Sequence, residues 1–198
     1  MAEASFDKAD FSAATVLVVS NSEMTRKFLG ETVRGFGFGA VDVVESFTDG
    51  KQRLNATNYA LVLIDAPSEG DDAYDFVRWL RRSELEHNYF IPVLLTAANI
   101  TNVMLDHARE SGIHFIMIKP VSPDAMMKRI QWLAKNDREF VSTDVYCGPD
   151  RRFRFEGPPP GMNGRRASDL SATVGASVDP NLDQGDIDAL LKPQKISL

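Results

Sequence analysis

Asp65 closes the run Ala60-Leu61-Val62-Leu63-Ile64-Asp65, and a carboxylate at the end of an unbroken apolar stretch is the first place in this chain to look for chemistry. Bounded by Asn58 upstream and Ala66-Pro67-Ser68-Glu69-Gly70 downstream, the run reads as a strand buried on both faces. Such a strand delivers its last residue to a sheet edge, and in open α/β sheets ligands and reactive groups gather outside the carboxyl ends of the strands. Asp also caps strands and opens turns, so Asp65 alone decides nothing. Other polar residues end apolar runs in the same way: Ser20 and Asn21, Thr96, and Lys119. Together they would gather hydroxyls, an amide, a carboxylate and an ammonium at one edge. Other chemistries find no support. His87, His107 and His114 lack metal-ligand spacing, and no Ser/His/Asp or Cys/His arrangement emerges, so nothing points to a hydrolase. Gly35-Phe36-Gly37-Phe38-Gly39 looks like a phosphate cradle but follows a helix rather than a strand, and reads as a helix-to-strand connection.

The elements that must position these residues alternate regularly. Strands are expected at 15–19, 41–44, 60–65, 91–96 and 115–118, where β-branched and aliphatic residues run together. Helices are expected at 23–34, 48–54, 72–82, 100–111 and from Ser122 to about Asn136. The last begins most clearly, with Ser122 as N-cap and Pro123 at the first helical position. In the third helix Phe76, Val77 and Leu80 form the apolar stripe, with Arg78, Arg81 and Arg82 expected in water. Five strands alternating with five helices imply an α/β fold: a five-stranded parallel sheet, doubly wound, with right-handed crossovers. Ser20, Asn21, Asp65, Thr96 and Lys119 then converge on one rim.

Composition bounds the function. A net charge of -6 argues against a general nucleic-acid binder, which needs clustered Lys and Arg. The single cysteine, Cys147, excludes an internal disulfide and a cysteine-cluster zinc site. The first residues lack a basic stretch followed by an apolar one, and no run approaches the roughly 20 apolar residues a bilayer requires. A soluble, cytoplasmic protein with neither a membrane nor a nucleic acid among its partners is expected.

Residues 14–136 resemble a receiver domain of two-component response regulators, of the chemotaxis-receiver, flavodoxin-like type. The matching pieces are Val-Leu-Val-Val at the first strand, Leu-Val-Leu-Ile-Asp at the third, Pro-Val-Leu-Leu-Thr-Ala at the fourth and Gly-Ile-His-Phe-Ile-Met-Ile-Lys-Pro at the fifth. The resemblance implies that Asp65 is a phosphoacceptor served by a histidine kinase or phosphotransfer protein, with Thr96 and Lys119 contacting the phosphoryl oxygens. A carboxylate can attack phosphorus, and the acyl phosphate then needs donors and positive charge around it. The resemblance also implies Mg²⁺, held by Asp65 and Asn21. This chain, however, has Ser20-Asn21 where the family has an acidic pair, which weakens the metal site. The turn after Asp65 carries shifted acids, and Ile116 stands where the family has its switching aromatic, with Phe115 on the opposite face of the strand. Two readings follow. One is a degenerate receiver, not an enzyme, that works mainly by protein–protein interaction; the other is a response regulator phosphorylated at Asp65. A flavodoxin-like cofactor binder is disfavoured, because Ser20 to Thr25 contains no glycine to admit a phosphate.

Beyond the receiver-like domain, which follows a polar lead over 1–13, residues 137–180 read as a largely irregular linker rich in Gly, Pro and Arg. A strand is conceivable over Val141–Tyr146. Between 146 and 170 five arginines stand against three acids; they suit either an anion site or a linker lying on an acidic domain. Helix signals return over 181–193: Asp183 as cap, Leu182 stapling onto Ile187, acids in the first turn and Pro193 as the stop. Ile187, Asp188, Leu190 and Leu191 lie in a segment similar to the receiver-binding motif at the start of the flagellar motor switch protein, which implies binding to another receiver or to the chain's own. The competing reading is an accidental amphipathic tail.

Overall fold

Each aliphatic run becomes the strand expected of it. In the computed structural model of this protein the described residues are 10–66, 72–83, 85, 87–135, 139–150 and 185. Strands β1 (Thr15–Val19), β2 (Ala40–Val44), β3 (Leu61–Asp65), β4 (Val93–Ala97) and β5 (Phe115–Ile118) alternate with helices α1 (Glu23–Gly35), α2 (Phe47–Ala56), α3 (Asp72–Arg82), α4 (Asn102–Ser111) and α5 (Pro123–Lys135). The strands form one parallel sheet in the order β2-β1-β3-β4-β5. Hydroxyl caps start the helices: Ser22, Ser46, Thr101 and Ser122 accept from the backbone N–H of Thr25, Asp49, Met104 and Ala125 at 3.0–3.3 Å. Thr101 sets the start of α4 two residues later than periodicity suggests, because Ile100 is taken into the core ahead of the helix.

The sheet is covered on both faces, and strand alternation decides which residue goes where. Leu17, Val19, Val62, Ile64, Leu95 and Ile116 face α2, α3 and α4 through Leu54, Phe76, Val77, Leu80, Leu105 and Ala108. Val16, Val18, Leu63, Leu94, Phe115 and Met117 face α1 and α5 through Leu29, Val33, Met126 and Ile130. Phe115 and Ile116 therefore lie on opposite faces, as expected. The lead is less polar in effect than in composition, since Phe11 is buried and stacks on Phe38 with ring centroids 4.5 Å apart. Among the described residues no helix is long and apolar enough to cross a membrane.

Two further findings differ from the sequence reading. Arg81, expected in water, is 1% exposed. Its Nε, Nη1 and Nη2 donate to the carbonyl oxygens of Gly112, Tyr89 and Ile91 at 3.2, 2.6 and 2.8 Å, and its guanidinium lies over the Phe140 ring. Burial pushes the guanidinium down to about 10, so it remains charged at neutral pH. The second difference is its cover. Residues expected to begin an irregular linker form an antiparallel hairpin, β6 (Phe140–Ser142) and β7 (Cys147–Pro149), with Tyr146 and Cys147 buried. The Cys147 thiol lies 2.9 Å from the Arg81 carbonyl oxygen and 2.6 Å from the Tyr89 hydroxyl. Gly112, the left-handed stop of α4 at φ 89°, makes the docking close, because a Cβ there would meet the Cys147 carbonyl oxygen at 2.6 Å.

Candidate functional site

Register places the candidate residues side by side. Asp65 pairs with Thr96 across β3 and β4, the ladder runs on through Ala66 N–H to the Thr96 carbonyl at 2.8 Å, and Lys119 N–H reaches the Ala97 carbonyl at 2.8 Å. On the other side Ser20 N–H donates to the Val44 carbonyl at 3.1 Å, which fixes the residue immediately after β1. The Lys119-Pro120 peptide is cis.

The carboxylate of Asp65, 4% exposed, is the centre of the arrangement. Its Oδ1 is ion-paired with the Lys119 ammonium and accepts from the Thr96 hydroxyl at 3.2 Å. Its Oδ2 accepts from the Ser20 hydroxyl at 2.9 Å. Both oxygens are thus held by hydrogen-bond donors, the requirement for keeping a carboxylate charged in a buried place. Ser20 and Thr96 are themselves buried, whereas the Lys119 side chain is 30% exposed and opens the rim to solvent. The sequence reading brings Asp65, Thr96 and Lys119 together, and the structure does so as well. Asn21 is exposed on the turn after Ser20.

Sequence reasoning missed Arg26, on the first turns of α1. Its Nη1 donates to the Ser20 carbonyl at 2.8 Å and its Nη2 lies 3.7 Å from Glu45, just past β2. The signal was present, since position 26 falls one helical turn inside a helix that starts at the same rim. The turn over residues 67–71 and the tail residues Ile187, Asp188, Leu190 and Leu191 lie outside the described residues. Of the tail, only Gly185 is described, and it is helical.

Mg²⁺ takes carboxylates, phosphate oxygens and water in octahedral array. The donor set here fits it poorly: Asp65 is the one carboxylate among the candidate residues gathered at this rim, and it is already paired with an ammonium on one oxygen and accepts a hydroxyl hydrogen bond on the other. Among the described residues no group of three or more His, Cys, Asp or Glu could hold a metal ion. What the arrangement offers chemically is a carboxylate nucleophile with a cation and two hydroxyl donors around it.

A search of curated proteins gave no match. Among solved structures the chain is similar to the chemotaxis protein CheY4 of Vibrio cholerae, at 19% identity and a TM-score of 0.55, covering 61% of this chain and 98% of that one. It is also similar to HP1043, an orphan response regulator of H. pylori, at 26% identity and a TM-score of 0.52, covering 63% and 98%. A response regulator from Thermotoga maritima matches at 19% identity and a TM-score of 0.54, covering 63% and 99%. The model of the response regulator receiver domain family matches residues 16–131. That span exceeds half of the chain and contains every strand that brings Asp65, Thr96 and Lys119 to one rim, so the chain belongs to the response regulator receiver domain family.

Proposed function

We propose that this two-component signalling protein acts mainly through protein–protein contact, with its receiver domain held in one state by the partners of Asp65. A histidine kinase or phosphotransfer protein is the class of partner that recognises such a domain. Segment 181–193, through Ile187, Asp188, Leu190 and Leu191, binds a second receiver or the chain's own. The observation that carries this reading is that both carboxylate oxygens of Asp65 are engaged, by Lys119 and Thr96 on Oδ1 and by Ser20 on Oδ2. Donors on both oxygens draw charge from the carboxylate and make it a weaker nucleophile than a free one.

The second reading is a response regulator phosphorylated at Asp65. It is favoured by the same Lys119 and Thr96 contacts, which stand where donors to a phosphoryl group are needed. Mass spectrometry of the intact protein after incubation with acetyl phosphate and Mg²⁺, wild type beside D65N, separates the two. The expected outcome is no added phosphoryl mass in either. A mass gain in the wild type that D65N lacks would install the phosphorylated reading.

A further inference from the structure

We infer that Ser20 and Arg26 close the Asp65 rim to divalent cations, an inference that rests on the reading of Asp65 as a carboxylate held by its partners. The Ser20 side chain is fixed, because its oxygen accepts from the Ser22 N–H at 3.2 Å. Its single proton has two acceptors within reach, the Ser22 carbonyl at 3.2 Å and Asp65 Oδ2 at 2.9 Å. The shorter bond to the charged oxygen wins. Ser20 therefore meets Asp65 with a donor rather than a lone pair. A cation at Oδ2 would share that oxygen with the hydroxyl proton, in a place where residue 20 is 1% exposed.

Arg26 commits the other oxygen of the same residue. A hard cation on this turn would look to the Ser20 carbonyl, and that carbonyl accepts from Arg26 Nη1 at 2.8 Å. The guanidinium adds a positive charge at the rim and is tied to Glu45 at 3.7 Å. Asp65 is balanced by Lys119 and Arg26 by Glu45, so the four charges sum to zero. Mg²⁺ gives up its water reluctantly and needs net negative charge to do so. This rim offers none from these four groups, and a carboxylate at position 20 would supply it.

The test uses the full chain. Backbone-amide NMR spectra are recorded through titrations with Mg²⁺ and with Mn²⁺, whose unpaired electrons broaden nearby amides, and thermal unfolding is followed alongside. In the wild type, amides of residues 19–22 and 64–66 are expected to stay unperturbed by millimolar Mg²⁺, and Tm to stay constant. In S20D the same amides shift, and Tm rises by roughly 10 °C at about a hundredfold excess of Mg²⁺ over Kd. Adding R26A to S20D tightens binding about fivefold or more. Site-specific Mg²⁺ or Mn²⁺ effects in the wild type would overturn the inference whatever S20D does, as would a folded S20D that ignores both ions. Phosphoryl mass gained from acetyl phosphate in the presence of EDTA would remove the reading of an unphosphorylated Asp65 and leave this inference standing.

Discussion

Arg81 shows what a single buried charge does when four of its five N–H donors have an assigned place. Its guanidinium is spent on three main-chain carbonyls, and the Nδ1 of His114 lies 3.2 Å from its Nη2. That Nδ1 also accepts from the Val93 N–H at 3.3 Å, so it carries no proton. R81A would leave the carbonyls of Gly112, Tyr89 and Ile91 without these donors in a buried place, and each such loss costs about 1–3 kcal/mol. We expect R81A to lower the stability by roughly 3–5 kcal/mol, within the range for breaking a buried polar network. R81K should recover little, because an ammonium cannot reproduce the planar fork. Urea unfolding of the two variants checks this; a loss under about 1 kcal/mol for R81A would show that water replaces the guanidinium. Arg81 was misread because its residue type outweighed its position. Tyr74, Val77 and Arg81 recur at helical spacing on the buried side of α3, and the periodicity alone would have placed it inward. Asp65, Thr96 and Lys119 were legible for the opposite reason: each ends an apolar run, so strand length alone carries it to the rim.

Among the elements, the five strands and five helices were legible because each is long enough to show its period and most helices begin on a hydroxyl cap. The hairpin was legible only as one conceivable strand over Val141–Tyr146, of which Val141 and Ser142 lie in β6. Strands of three residues display no alternation, and Gly148 and Pro149 look like breakers. Gly148 is there because the chains approach closely, since a Cβ would meet the Tyr146 hydroxyl at 2.6 Å and Gly112 Cα at 2.7 Å. The hairpin is therefore part of the domain, packed on α3 and α4, and a boundary drawn at its last helix cuts through a contact. A truncation series follows from this. A chain ending at Pro180 should lose binding to a purified receiver, because the segment 181–193 is gone, and should keep the full stability where that segment acts on a second receiver rather than on its own domain. A chain ending at Arg138 should lose about 2–4 kcal/mol as well, since Tyr146, Cys147 and the ring contacts of Phe140 go with it. Equal stability of the two chains in denaturant would show that the hairpin only rests on the domain, and unchanged receiver binding together with unchanged stability in the first would remove the tail from the function.

For the molecule as a whole, the two polar clusters stand at opposite ends of one sheet. Asp65, Thr96 and Lys119 lie at the carboxyl ends of β3, β4 and β5, whereas the acceptors of Arg81 at Ile91 and Gly112 precede β4 and β5. Five residues of strand, at about 3.3 Å each, put roughly 16 Å between Ile91 and Thr96. The strands between them are buried on both faces, so a shift at the rim reaches the hairpin only if β4 and β5 have two arrangements. Here Ile116 and Phe115 fill opposite cores, and Phe115 is held by Trp132 and the Arg129 guanidinium. Substitutions at the two ends should then be independent, as they are for sites far apart that share no partner. In a double-mutant cycle of D65N and R81A measured by urea unfolding, we expect the two losses to add within about 0.5 kcal/mol. A larger coupling energy would mean that the base of the sheet senses the state of Asp65. The hairpin, from which the chain continues toward its C-terminal segment, would then be the route by which the rim controls the tail.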